Sequence, residues 1–281
     1  MKRHISELFL ASVLVLVLSA SSQAGWIIEK SSKSGFGETE TKTTEYYQDN
    51  KIKTVDEGGE ITIIDFEKGV LISTNPQKKT YIEEPIGEFI KTIAQAIESS
   101  MAELKEQMAK QMEGMSPEQR KMMEEMMSKQ GIKMPGQEPP EKSQVSIEVE
   151  KLGKTEEIAG FKATAYRVSV DGKPQEEIWL APEINISKEI DLKILEKFQK
   201  EMSKSLEASF GAGKAEYRES EKYVKLIMEG GYLVREVDPD TNTVEQEVVR
   251  ADKKGIPDSE FQPPQGYKKV SLKEWMNIPL K

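Results

Sequence analysis

The stretch ITIIDFEKGVLISTNPQKKTYIE, residues 61–83, decides the fold class of this 281-residue chain. Its short apolar runs are separated by two turn signals, Glu67-Lys68-Gly69 and Asn75-Pro76. Because side chains alternate along a strand, Ile63 and Ile64 point to opposite faces. The stretch therefore predicts short antiparallel strands in a sheet whose two faces are both partly covered.

The same signals continue on both sides of this stretch. Upstream, turns at Asp49-Asn50 and Glu57-Gly58-Gly59 divide residues 26–83 into a predicted meander of hairpins. Downstream, apolar residues alternate with polar ones in further predicted strands, which lie at 145–150, 166–170, 224–228, 232–237 and 243–249. Turns at Gly230-Gly231 and at 238–242 are expected to join the last three strands.

The most regular helical pattern follows Pro85, which suits a first helical turn, and ends near Gly114. Apolar side chains recur there at three- and four-residue steps, which places them on one stripe of an α-helix. The stripe consists of Ile86, Phe89, Ile90, Ile93, Ile97, Met101, Leu104, Met108, Met112 and Met115. A helix of about 29 residues would extend roughly 43 Å. The pattern fits one continuous rod as well as two pieces.

Two more helices are predicted. Ser116-Pro117-Glu118-Gln119 matches a capping box and begins a Met-rich helix that runs through Met127. Residues 134–140 contain three prolines and predict a linker, so that 85–140 forms a helical insertion. The other helix spans about 187–210, and its apolar stripe either covers one face of the sheet or moves to uncover a cavity.

Together, these patterns predict an α+β, mainly β fold with an antiparallel sheet covered by amphipathic helices. A doubly wound parallel fold would require helices that alternate with strands, and only two substantial helical regions are evident. We expect residues 25–281 to form a single domain that contains the insertion.

The first 24 residues have the pattern of a signal peptide. Lys2 and Arg3 precede an apolar run from Leu8 to Leu18, and Ser22-Gln23-Ala24 offers small residues at the two positions that signal peptidase reads. About eleven apolar residues are too few to cross roughly 30 Å of hydrocarbon. We therefore expect cleavage after Ala24, a periplasmic protein, and no transmembrane segment in the mature chain.

The composition argues against several classes of function. Loss of Lys2, Arg3 and Glu7 with the signal peptide changes the formal charge from −9 to −10, and an acidic chain without a basic cluster is not expected to bind nucleic acid. The chain has no cysteine, and its one histidine, His4, lies in the signal peptide. Because thiolates and imidazoles serve most nucleophilic and zinc sites, we expect neither an enzyme nor a cofactor.

Five segments, taken in order, resemble an exported and uncharacterised bacterial family related to the LolA/LolB-like periplasmic lipoprotein carriers. They are NPQKKTY at 75–81, the Met-rich segment 116–127, IAGFKATAY at 158–166, EIWLA at 177–181 and PPQGY at 263–267. The resemblance implies an antiparallel half-open barrel with helices across its opening, enclosing a cavity that in the carriers accepts acyl chains of lipoproteins or other lipids. It assigns no particular binding residue, and the long Met-rich insertion departs from the simplest carriers.

The candidate apolar ligand or partner surface combines the helical stripe with one strand tryptophan. Trp179 faces the side of its strand opposite to Ile178 and Leu180, so that it either packs in a core or lines a ligand site in a barrel. The candidate residues are Ile86, Phe89, Ile90, Ile93, Ile97, Met101, Leu104, Met108 and Trp179.

Eight methionines between positions 101 and 127 leave three interpretations open. They pack ordinary amphipathic helices, form a soft surface for a lipid or protein, or bind Cu(I) through their thioethers. The leading hypothesis is a periplasmic, non-enzymatic protein that binds a lipid or a lipoprotein acyl chain. One alternative is an envelope protein-interaction or stress-sensing module that uses the Met-rich helices. The other is Cu(I) binding, and no other metal site is predicted.

Overall fold

The computed structural model describes residues 24–33, 40–113, 116, 146–198, 200–201, 215–218 and 220–276. The predicted signal peptide lies outside these ranges apart from Ala24, which is the first residue of a strand. The predicted Met-rich helix is described only at Ser116, and the predicted linker at 134–140 is outside as well. Signal cleavage and the helical insertion therefore stay predictions.

The described strands form one sheet of 12 strands. They are β1 Ala24–Lys33, β2 Glu40–Gln48, β3 Lys51–Asp56, β4 Ile61–Asp65, β5 Val70–Asn75, β6 Thr80–Pro85, β7 Ile147–Ile158, β8 Phe161–Val170, β9 Lys173–Ala181, β10 Tyr232–Val237, β11 Val244–Gly255 and β12 Lys268–Lys269. Their order is β12-β6-β5-β4-β3-β2-β1-β11-β10-β9-β8-β7. All neighbours are antiparallel except β6 and β12, which confirms the mainly β, antiparallel prediction.

Local turn chemistry explains the first half of this sheet. Strands β1 to β6 form the predicted meander, and Asp49 and Asn50 both adopt positive φ angles, 50° and 55°, between β2 and β3. A two-residue turn of this kind has the twist that adjacent antiparallel strands require. The second half is another meander, β7 to β11, and the pairing of β1 with β11 joins the two halves.

The sheet is strongly curved but does not close. Trp26 of β1 and Phe161 of β8 are four strands apart in the sheet order, a distance of about 19 Å on a flat sheet. Their ring centroids are nevertheless only 6.0 Å apart. The sheet therefore curls around the side chains of this face, while β7 and β12 stay at its two edges. The predicted half-open barrel corresponds to a single open, curved sheet.

Helices occupy the connections. They are α1 Ile86–Glu113, α2 at residues 192–198, α3 Ala215–Arg218, α4 Glu221–Gly230 and α5 Leu272–Trp275, with 3-10 turns at Ile186–Lys188 and Asp258–Phe261. Helix α1 is one uninterrupted element of 28 residues, packed against β5 and β6. No helix in the described ranges combines the length and apolar character needed to cross a bilayer.

One predicted strand is wrong. Residues 224–228 belong to helix α4, which begins after Ser220, whose side chain accepts a hydrogen bond from the Tyr223 backbone N–H. Tyr223, Leu226 and Ile227 lie at helical spacing and pack on the sheet, whereas Met228 is 57% exposed. The alternating apolar residues that suggested a strand therefore reflect a short amphipathic helix with a good N-cap.

The predicted helix at 187–210 begins later than expected. A 3-10 turn occupies Ile186–Lys188, and α2 begins at residue 192. The backbone N–H of Asp191 donates to the Asn50 side chain, 2.8 Å away, and the Asp191 carboxylate accepts from the Lys193 N–H. The bond from Lys193 makes Asp191 the N-cap of α2, which explains the later start, while the bond to Asn50 ties Asp191 to the β2–β3 turn.

Candidate functional site: a covered aromatic face

The concave face of the sheet bears the largest apolar cluster, here called the covered face. Its buried members from the strands and their turns are Trp26, Ile28, Tyr47, Ile158, Ala163, Ala165, Trp179, Ala181, Tyr232, Val234, Val237 and Val248. The opposite, convex face holds a second cluster that includes Ile178 and Leu180 and packs against α4. Trp179 and its two neighbours thus lie on opposite faces, as predicted.

Residues 182–198, here called the covering segment, lie over this face. Ile184 and Ile190 are 0% and 1% exposed and belong to the same cluster, and Ile186 and Leu195 pack against it. The Trp26 indole Nε1 donates to the Asn185 carbonyl at 3.2 Å. The connection that follows β9 therefore covers the concave face of the sheet.

The covering segment is attached to the sheet through the β2–β3 turn. The Asn50 N–H donates to the Glu189 carbonyl at 2.7 Å, and the Asn50 Oδ1 accepts from the Asp191 N–H. Phe198 of α2 adds an edge-to-face contact with Phe66, with ring centroids 5.7 Å apart. Burial raises the pKa of the Glu189 carboxyl above its usual range. Asn50 thus makes two of the polar contacts that hold the covering segment, and Trp26 makes a third through Asn185.

A polar cluster closes one part of the covered face. The Glu45 carboxylate of β2 accepts hydrogen bonds from the hydroxyls of Tyr47 and Tyr232, and it pairs with Lys30 at 2.8 Å. Burial alone would raise the pKa of the Glu45 carboxyl, but Lys30 and the two hydroxyls hold it below its usual value. The cluster joins β1, β2 and β10, and its charges are mutually compensated.

A second polar group lies over Trp179. Arg235 is paired with Trp179 across β10 and β9, and its guanidinium lies 5.5 Å from the centroid of the indole ring. The same guanidinium binds Glu156 of β7, at 2.7 Å, and Glu247 of β11. The pKa of the Arg235 guanidinium is raised by these two carboxylates. Arg235 therefore ties three strands together above the tryptophan.

Two surface grooves lie outside the apolar cluster, and one of them borders its cover. One of about 660 Å³ is lined by polar residues that include Arg218, Glu236 and Asp240. The other, of about 620 Å³, is bordered by the covering segment from Ser187 to Lys193 and by Met228. A ligand could reach the covered face only after the covering segment moves, because Ile184 and Ile190 of that segment are buried against it.

One protein family model matches most of this chain. A family model described as Domain of unknown function (DUF4412) matches residues 88–267. The chain belongs to this family. The DUF4412 match includes the covering segment, Trp179 and Arg235, whereas Lys30, Glu45 and Tyr47 lie before it. It therefore includes most of the covered face and its cover, while Trp26, Ile28 and Tyr47 lie before it. No curated protein matches the chain.

Several solved structures share a weak likeness with this DUF4412 chain. The crystal structure of MucB has a TM-score of 0.35 at 6% identity, covering 92% of this chain and 64% of MucB. The crystal structure of MucB in complex with MucA(peri) has a TM-score of 0.34 at 5% identity, and the alignment covers 93% of this chain and 62% of the matched chain. The structure of PNGF-II in the C2 space group has a TM-score of 0.34 at 10% identity, and the alignment covers 90% of this chain and 32% of PNGF-II. The chain thus spans less than two thirds of each, and such TM-scores do not establish a shared fold.

The structure does not bring the predicted site residues of this DUF4412 protein into one cluster. Trp179 lies in the covered face, whereas Phe89 packs with Ile82, Val270 and Leu272 at the other end of the sheet. Ile90 is buried, and Ile86, Ile93 and Ile97 are half-buried along α1. Met101, Leu104 and Met108 lie in α1, but their side chains are outside the described set.

The covering segment before residue 187 and the Glu45 cluster were not predicted from the sequence. Alternating Ile184, Ile186 and Ile190 could have indicated a buried segment, because apolar residues between two turns need a surface to pack on. Glu45 gave no comparable signal. Lys30 lies across the β1–β2 hairpin from Glu45, but Tyr232 is 187 positions away in sequence, and it comes near Glu45 through the pairing of β1 with β11.

Proposed function

We propose that this DUF4412 protein is exported to the periplasm, with its signal peptide removed after Ala24, and binds an apolar ligand there without catalysing a reaction. The ligand is a lipid or the acyl chain of a lipoprotein. The binding site is the covered face, and the covering segment moves aside to admit the ligand.

The observation that supports this proposal most strongly is the arrangement of the covered face. Four aromatic side chains from four strands, Trp26, Tyr47, Trp179 and Tyr232, lie together on a concave sheet. Their cover is one continuous segment, held by two hydrogen bonds at Asn50 and one from the Trp26 indole. A concave apolar surface under one locally attached segment is a suitable design for reversible uptake of an apolar molecule.

The energetic requirement is modest. Each methylene group removed from water contributes about 0.8 kcal/mol, so several methylenes of an acyl chain can replace the apolar packing that the covering segment gives up when it moves. Charged groups near the face are already paired, as Lys30 is with Glu45 and Arg235 is with Glu156 and Glu247. They orient strands rather than supply a free base or nucleophile, in keeping with a binding function.

The proposal is tested by native mass spectrometry of protein purified gently from the periplasmic fraction. We expect mass increments that organic extraction removes, and lipid species in the extract. The same preparation, once delipidated, should take up monopalmitoylglycerol and show a matching increment. A protein that is empty as purified and takes up no monopalmitoylglycerol contradicts the proposed function.

A further inference from the structure

The two tryptophans of the covered face differ in their hydrogen bonding. The Trp26 Nε1 donates to the Asn185 carbonyl, so that this indole is both packed and satisfied. Trp179 is 7% exposed, and its Nε1 is buried with no hydrogen-bond partner among the described residues. Buried indole N–H groups usually find an acceptor, because an unpaired polar group in a core is costly.

The surroundings of Trp179 explain why no acceptor is available. Across the sheet, its neighbours are Ala165 of β8, which has no polar side chain, and Arg235 of β10, which has only donors. The nearby carboxylates of Glu156 and Glu247 accept hydrogen bonds from Arg235 and not from the indole. The N–H of Trp179 is thus buried without an acceptor while the covering segment is in place.

The charges around this position limit which acceptor could enter. Arg235 is the cation nearest to the indole, and two carboxylates already compensate its single positive charge. On the same face, Lys30 is compensated by Glu45. Lys253 lies over the other tryptophan, Trp26. Beside Trp179, an incoming carboxylate would therefore meet only a cation that is already compensated and would have to lose its hydration, which is costly. A neutral carbonyl accepts a hydrogen bond without that cost.

We infer that the ligand of the covered face is a neutral acyl ester or amide, whose carbonyl oxygen accepts a hydrogen bond from the Trp179 indole N–H. The acyl chain packs on the aromatic side chains, and the carbonyl sets its position along the face. This inference rests on the proposed function and deepens it by naming the ligand class and a specificity-determining residue.

A matched pair of lipids tests the inference on the unmodified protein. Monopalmitoylglycerol and hexadecylglycerol ether have the same chain and headgroup and differ in the carbonyl. We expect the ester to bind about tenfold more tightly than the ether, which corresponds to about 1.4 kcal/mol. Free palmitate should bind more weakly than the ester at pH 7. Equal binding of ester and ether, or a preference for palmitate, overturns the inference.

Two variants assign the preference to one residue. Trp179→Phe should bind ester and ether equally, whereas Trp26→Phe, the control on the same face, should retain the preference because it leaves the Trp179 indole N–H in place. A preference that survives in Trp179→Phe overturns the role of the indole. If both lipids bind wild type equally, the proposed function stands and this inference fails; if neither binds, both fail.

Discussion

Replacing Asn50 by glycine should loosen the covering segment without disturbing the β2–β3 turn. Asn50 has φ of 55°, a conformation that glycine adopts readily, so the turn itself should persist. The substitution removes the side-chain oxygen that accepts from the Asp191 N–H at 2.8 Å. Because this bond is solvent-exposed, its loss should cost about 0.5–1 kcal/mol. The equilibrium between closed and open cover should then shift about two- to fivefold toward open.

Hydrogen exchange measures this shift directly. The Ile190 N–H donates to the Ile186 carbonyl inside the covering segment, so its exchange reports opening. We expect exchange at Ile190 to become about two- to fivefold faster in Asn50→Gly.

The matched control is Asp49→Gly. Asp49 occupies the same turn with φ of 50°, and its carboxylate raises the pKa of Glu189 rather than attaching the cover. Asp49→Gly should therefore leave exchange at Ile190 unchanged. Equal acceleration in the two variants, or none in Asn50→Gly, would refute the assignment of Asn50 as an attachment point.

Three further predictions concern stability, measured by urea unfolding. The pKa of Glu45 is lowered in the folded state, so its pairing should stabilise the protein above the pKa of the unfolded carboxyl, and that stabilisation should disappear as pH falls through the folded pKa. Glu45→Gln should therefore cost about 2 kcal/mol at pH 7 and little in acid. A cost that does not change with pH would contradict this. Ser220→Ala should cost about 1 kcal/mol through loss of the α4 N-cap, and no change would contradict the cap. Gly231→Ala should cost about 3 kcal/mol or more, since the new Cβ would lie 2.4 Å from the Ala181 carbonyl oxygen. Gly160→Ala, whose Cβ would meet open space at φ of 85° against 94° at Gly231, should cost about 1 kcal/mol. Equal costs would argue against the close approach.

The meander of β1 to β6 could be predicted because its information is local. Turn residues such as Asp49 and Asn50 fix the hairpin register, and alternation along each strand fixes which side chains share a face. The two-residue alternation of side chains also predicted correctly that Trp179 lies on the face opposite to Ile178 and Leu180. Helix α1 was also predictable, since its stripe extends over many turns and few other structures satisfy it.

Helix α4 was harder because it is short. In ten residues, Val224, Leu226 and Met228 satisfy a strand pattern while Tyr223 and Ile227 satisfy a helical one, and the Ser220 cap favours the helix. The covered face and its cover depend on contacts that local patterns do not encode. The bond between Asn50 and Asp191 joins residues 141 positions apart, and the pairing of Arg235 with Trp179 depends on the order of strands in the sheet.

The most direct test of the central claim is the quenching of tryptophan fluorescence by a monoacylglycerol with a brominated chain. Trp26 and Trp179 lie on the covered face, whereas Trp275 lies in α5 at another cluster. The account predicts strong quenching in Trp275→Phe, which retains only the two tryptophans of the covered face. It predicts almost none in the double variant Trp26→Phe/Trp179→Phe, which retains only Trp275. Quenching confined to Trp275, or equal in the two proteins, would contradict ligand binding at the covered face.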